Sequence, residues 1–282
     1  MDKNRKAVTE LYFATNEKIA ETSSKGNQEK WYDETSDRWF KLDQFGYEAL
    51  SECAVSAMLE FSNIEADTPF DFVRYKMESV FVHNRRRTGC SSRNFLAKDQ
   101  SIITLDHLLN RVLDEPLKEK LSHLSSDKKR IQFLAEKTAE FTGLEHFPKY
   151  LTLIFEVDAL FLNDDRHLNN IAVIEEDGKY SYCPIFDNGA ALLSNTQLSQ
   201  MDIEPKALIS AVTARPFGTT FTRQMRSAEA LFGQQLRIPR FTKLQIKDLL
   251  ASMLEFYPER DRGIISDRAA ECVLQRQRYL GQ

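Results

Sequence analysis

The sequence predicts an α+β protein of two lobes, a strand-rich first third followed by a mainly helical remainder. Three observations predict it. Short runs up to Leu96 alternate apolar and polar residues as strands do. From Ile102 onward apolar residues recur at helical spacing. A single β-hairpin interrupts the helical part, and acidic and amide residues stand at its open end.

In chain order, residues 5–21 have helical character and run into a polar turn, Ser23 to Lys30. Trp31-Tyr32 and residues 39–43 read as strands joined by a polar loop over 33–38. Gly46 opens a helix whose apolar face carries Tyr47, Leu50, Ala54, Ala57, Met58 and Phe61. Glu48 and Glu52 fall on another face of that helix, one turn apart. Residues 70–83 and 90–96 alternate like strands, with the basic run 83–87 between them read as a solvated loop. Helices are expected over 105–121, 131–141 and 150–162. The hairpin follows, with arms at 170–174 and 180–186. After an irregular stretch over 189–204, helices are expected near 205–213, 218–232, 242–256 and 265–279. Pro205 suits a first helical turn. The change of tone at 97–103 divides an N-lobe, 1–100, from a C-lobe, 101–282.

Composition narrows the function classes. The chain has 282 residues, 42% hydrophobic and 28% charged, which is ordinary for a globular protein. Its net charge of −4 makes no electrostatic case for nucleic-acid or membrane binding. The four cysteines form no C-x-x-C pair, so neither a disulfide framework nor a zinc site is expected. With no uninterrupted apolar stretch at the N-terminus, a cytoplasmic location is expected; signal-less export to a host is also compatible.

The chemistry concentrates at 163–189. Asp165 and Asn170 stand in a D-x-x-x-x-N spacing, and Asp187 lies in an F-D-N-G turn downstream. Transfer of phosphate from ATP needs such groups: a carboxylate to orient and deprotonate a hydroxyl, and an amide with a second carboxylate to hold magnesium. Each residue alone also suits a turn or cap; it is the grouping that points to catalysis. Asp177-Gly178 is a strong hairpin signal, and a two-residue turn there pairs residues whose numbers sum to about 355. Asn170 and Asp187 then meet near the open end. Asp164 competes with Asp165 as the base, and the five-residue offset to Asn170 favours Asp165. Lys41, on a strand before the Glu48/Glu52 helix, matches the lysine–glutamate pair that grips ATP phosphates in kinases. The small polar residues of the 23–30 turn suit backbone N–H contacts to phosphate.

Three segments resemble the HipA-like kinases, whose founding members are bacterial toxin kinases. Residues 23–30 look like the family's S-x-x-G-x-Q-x-K phosphate loop. Residues 163–170 look like its N-x-D-x-H-x-x-N catalytic loop, and residues 184–187 look like its P-x-[YF]-D metal motif. The resemblance implies a two-lobed, protein-kinase-like fold and an ATP- and Mg²⁺-dependent Ser/Thr protein kinase. In it Asp165 is the base, Asn170 and Asp187 hold magnesium, and His167 braces the catalytic loop. Gly26, Asn27 and Gln28 lie in the phosphate loop beside Ser24, Lys41 contacts phosphate, and Glu52 (alternatively Glu48) orients Lys41. Ser23 falls where the family carries an autophosphorylated serine. The partners implied are a protein with a Ser or Thr acceptor and an antitoxin-like protein. The founding members have an extra N-terminal subdomain, whereas only 22 residues precede Ser23 here. The chain is therefore like the compact members. Two rivals share the same motif: a sugar or aminoglycoside-like phosphotransferase, and a non-catalytic nucleotide-binding module.

Overall fold

The computed structural model describes residues 28–82 and 84–280. The expected helix over 5–21 and Ser23, Ser24, Gly26, Asn27 and His83 lie outside the described residues. Strands β1 (Lys30–Asp33), β2 (Arg38–Leu42), β3 (Tyr75–Val82) and β4 (Arg85–Arg93) form an antiparallel sheet in the order β1-β2-β4-β3. The β1–β2 turn is built locally, with the Ser36 N–H donating to Asp33 Oδ2 at 3.1 Å. Alternation then sets the two faces: Trp31 stacks on Phe40 at 5.3 Å, and Tyr32 meets Trp39 on the opposite side.

The basic run corrects the sequence reading. Arg85 to Arg87 begin β4 and pair with β3, and the reversal is confined to its start, where Asn84 has φ 60°. Arg86 donates to Ser79, and Arg87 forms an ion pair with Glu29 and donates to the Asp43 carbonyl. These arginines hold the sheet together and do not form a free loop. Residues 70–74 also leave the expected strand. The Val73 N–H donates to the Ile185 carbonyl, and the Ile185 N–H to the Asp71 carbonyl, so this segment pairs with the C-terminal half of the chain.

Helix α1 (Glu48–Leu59) crosses beneath the sheet, and α2 (Ile64–Asp67) is a single turn after it. All of α1 except Ala57 is buried, on a face wider than its apolar stripe predicts. Its extra cover comes from the C-terminal half. The Tyr47 N–H donates to the Ser194 carbonyl, and the Thr196 N–H donates to the Phe45 carbonyl. Gly46 makes this approach feasible: a Cβ there would stand 2.0 Å from the Ser194 oxygen.

Strand β5 (Ser101–Thr104) pairs with β6 (Ala172–Glu176), which pairs with β7 (Lys179–Tyr182). The β6–β7 register joins Val173 to Tyr182 and Ile174 to Ser181, as the Asp177-Gly178 turn dictates. The third strand, β5, is not visible as periodicity, because its four residues lead straight into a helix capped by Thr104. The expected helix over 105–121 is two, α3 (Leu105–Val112) and α4 (Leu117–His123). Pro116 separates them, since it lacks an N–H and disfavours helix at the residue before it.

The helices α5 (Asp127–Thr142), α6 (Phe147–Phe161), α7 (Pro205–Ala211), α8 (Phe221–Phe232), α9 (Lys243–Leu254) and α10 (Glu259–Arg276) complete the fold. Helix α6 is buried at every position from Tyr150 to Phe161 and forms the axis of the C-terminal core. Buried Arg276 donates to the Ala159 carbonyl, and buried Arg268 to the Ser199 carbonyl, which ties α10 to α6 and to the irregular stretch. Among the described residues no helix is long and apolar enough to cross a membrane.

The Gly46 contact carries a direct expectation. Gly46→Ala forces the two segments apart and costs about 1–3 kcal/mol of stability, read as a fall of several degrees in Tm. A variant as stable as the wild type would show that the close approach is absent in solution.

Candidate active site

The site is assembled where β2, α1 and the two loops around the β6–β7 hairpin meet. Lys41 points from β2 into the interior, where its Nζ lies 2.5 Å from Glu52 Oε1 and 2.7 Å from Asp187 Oδ1. Of the two glutamates, Glu52 and not Glu48 meets Lys41. Glu52 is fully buried beside Lys41, whereas Glu48 turns back to accept the N–H groups of Phe45 and Gly46 at its own helix start. The second oxygen of Glu52 accepts the Asn188 N–H at 2.8 Å. Tyr75 lies beneath the ammonium, its ring centre 5.2 Å away.

Asp187 sits in the left-handed region, φ 62°, which is costly for a residue with a side chain. Hydrogen bonds from Asn163 and Arg166 hold it and its neighbours there. Asn163 Nδ2 donates to the Asp187 carbonyl at 3.1 Å. Arg166 Nη1 donates to the carbonyls of both Asn170 and Phe186, at 2.9 and 2.6 Å. Arg166 Nη2 donates to Asn188 Oδ1 at 2.7 Å, and its Nε faces both oxygens of Asp158 at 3.1 and 3.2 Å. One buried guanidinium thus binds the loop carrying Asn170 to the loop carrying Asp187.

Asp165 stands at the surface end of the same loop. Its backbone carbonyl accepts from the His167 N–H at 2.8 Å and from Asn170 Nδ2 at 3.0 Å. The His167 imidazole faces the Asp165 carboxylate, Nε2 to Oδ2 3.8 Å. Asp165 opens on a cleft of about 520 Å³, whose walls include Leu117 and Leu121 of α4 and residues 215–217. Asp164 is not among the residues lining it. Gln28, within the expected phosphate loop, donates Nε2 to the Leu42 carbonyl at 2.9 Å and so ties its own position to β2.

Electrostatics separate the carboxylates. Burial pushes Asp187 up, but Lys41 foremost, with Lys30 and Arg166, outweighs it and holds the carboxyl at about 2. Burial pushes Asp165 up; the charge of Asp187 adds to this, while His167 and Arg215 oppose it. Asp164 is pushed to about 6 by burial and by its neighbour Asp165. One acid is therefore firmly ionised and another has a raised proton affinity, the division expected of a ligand and a base. Among the described residues no three His, Cys, Asp or Glu side chains converge on a point. Magnesium needs fewer, one or two protein oxygens with the rest from phosphates and water.

The Helicobacter pylori proinflammatory kinase CtkA superposes with a TM-score of 0.58 over 92% of this chain and 94% of that one, at 14% identity. The chain has the fold of that kinase. The two-lobed α+β architecture expected from the sequence is therefore present. HipA of Shewanella oneidensis MR-1, from a toxin–antitoxin complex with HipB and operator DNA, is also similar. It gives a TM-score of 0.48 over 90% of this chain and 64% of that one, at 11% identity. No protein-family model and no curated protein matches the sequence.

Sequence reasoning missed Asp158, Tyr75 and the role of Arg166. A charge inside a helix eight residues upstream gives no periodic signal of the guanidinium it meets. Asn188, next to Asp187, proves to be a structural partner of both Arg166 and Glu52.

The depressed Asp187 carboxyl has a sign that can be tested. It titrates at about 2 against 3.8 for a free side chain, so it stabilises the fold above that range and ceases to do so as pH falls toward 2. Asp187→Asn is expected to cost about 2 kcal/mol at neutral pH. Urea denaturation of both proteins should show the gap narrowing below about pH 4; a gap that widens on acidification would contradict the ion-pair origin.

Proposed function

We propose that this chain is an ATP- and Mg²⁺-dependent Ser/Thr protein kinase of the HipA-like type. The observation that carries the reading is the convergence of Lys41, Glu52 and Asp187, with Asp165 and Asn170 on the adjoining loop. This is the constellation phosphoryl transfer requires, and it brings residues 146 positions apart into contact. Lys41, oriented by Glu52, holds the nucleotide phosphates. The oxygens Asp187 Oδ2 and Asn170 Oδ1 take no hydrogen bond among the described residues and have the hard-donor chemistry that magnesium prefers. Bound there, Mg²⁺ supplies charge neutralisation on the phosphates. Asp165 accepts the proton of the incoming hydroxyl as its oxygen bonds to the γ-phosphorus, and ADP leaves with the electron pair of the broken P–O bond. His167 keeps Asp165 turned toward the acceptor.

The cleft beside Asp165 argues against a cationic antibiotic as acceptor. Its wall carries Lys118, Arg130 and Arg215, against Asp106 and Asp165, whereas such a substrate calls for an acidic pocket. An antitoxin-like partner, implied by the HipA-like motifs, and a cytoplasmic location, in keeping with four free cysteines, belong to the same proposal.

Asp165→Asn should lower phosphate transfer by about 10²–10⁴-fold with nucleotide binding retained, measured with radiolabelled ATP against proteins and small molecules. Equal turnover by wild type and variant, or none in either, would favour the binding-module reading. Self-phosphorylation at Ser23 is expected on the same grounds. Mass spectrometry after incubation with ATP should find the modified loop peptide in the wild type and not in Asp165→Asn.

A further inference from the structure

The cleft that receives the acceptor has a chemical bias of its own. It lies on the C-terminal lobe between α3, α4 and the segment around Pro216, with Asp165 among its lining residues. At about 520 Å³ it is large enough for a few residues of an extended chain. Its apolar floor is Leu117, Leu121, Pro216 and Phe217, of which Leu117 is fully buried.

The charged groups differ in how far they are already engaged. Arg130 is committed to the protein, donating to the Leu121 carbonyl and to Asp127 Oδ1 at 3.0 and 3.1 Å. Lys118 and Arg215 are exposed, and among the described residues no carboxylate lies within ion-pair distance of either side chain. They stand on opposite elements, α4 and the loop before α8. The acids lining the cleft are Asp106 and Asp165. Counted together, the charged side chains lining the cleft are three cations, Lys118, Arg130 and Arg215, against two acids, Asp106 and Asp165, inside a protein whose net charge is −4. A local excess opposite to the global charge attracts an anionic partner and repels a cationic one.

We infer that the acceptor is a Ser or Thr flanked by acidic residues in an extended polypeptide segment, with Lys118 and Arg215 reading the flanking carboxylates. The inference rests on the protein-kinase reading. Leu121 and Phe217, both partly exposed, would pack against aliphatic portions of the same segment, so the bias is for mixed acidic and apolar sequences rather than for polyanions.

The test is phosphate transfer by the full chain to serine peptides that share one apolar framework and differ only in flanking Asp, Ala or Lys. The acidic-flanked set should exceed the lysine-flanked set by about tenfold or more in kcat/KM. Arg215→Ala and Lys118→Ala should each raise KM for the acidic set several-fold, with smaller changes in kcat. The double variant Lys118→Glu/Arg215→Glu should reverse the order and favour the lysine-flanked set, a gain that a misfolded protein cannot produce. Transfer indifferent to flanking charge, or a wild-type preference for lysine, overturns the acidic-acceptor inference and leaves the kinase reading intact. Transfer to an anionic small molecule but to no peptide overturns both.

Discussion

The rest of the site depends on a single buried guanidinium. Taking an arginine out of water is costly, and the cost is met only when its donors find partners. Arg166 is 1% exposed and places its donors on Asp158, on two backbone carbonyls and on Asn188. Burial pushes the Asp158 carboxyl up and Arg166 pulls it back, leaving it at about 6. Helix α6 supplies Asp158 from the most buried part of the C-terminal core, so the position of Arg166 is set by packing and not by loop preference. From that fixed point the Asn170 and Asp187 loops are held in register. An ordinary hairpin end thereby carries the side chains of Asn170 and Asp187 on one rigid frame.

The second constraint joins the sheet to this frame. Lys41 has two carboxylate partners, one on α1 and one on the C-terminal lobe, so a single ammonium reports the placement of three elements. Its proton is held more firmly than in free lysine: burial works against the charge, and Asp187 and Glu52 more than offset it. The strained backbone of Asp187 is tolerable in this setting because its carbonyl, its side chain and the next residue's N–H are all engaged. Local strain and global packing are here one arrangement seen at two scales.

Much of this was legible in the sequence because it was local. The Asp177-Gly178 turn fixed the hairpin register, and Asp165, Asn170, Lys41 and Asp187 announced themselves by residue type and order. What stayed hidden was non-local or short. β5 has four residues and no period to read. Arg85 to Arg87 looked like a solvated run because their partners, Glu29, Ser79 and Asp43, lie elsewhere in the chain. Arg166 sat in plain view inside the 163–170 loop, but its burial follows from α6, which no spacing rule connects to it. The choice between Glu48 and Glu52 likewise needed the direction of α1 and not its periodicity.

Helix α1 is fastened along its whole length. Tyr47 at its start is bonded to Leu192 and Ser194, Ser51 in its first half to Asn188 and Ala191, and Asn63 beyond its end to the backbone of Gln235. A rod held at both ends and in the middle has lost its rigid-body degrees of freedom relative to the lobe that holds it. Glu52 therefore belongs mechanically to the C-terminal lobe, although its sequence position groups it with the strands. The Lys41–Glu52 contact therefore joins the sheet to the C-terminal lobe and not merely a strand to its neighbouring helix.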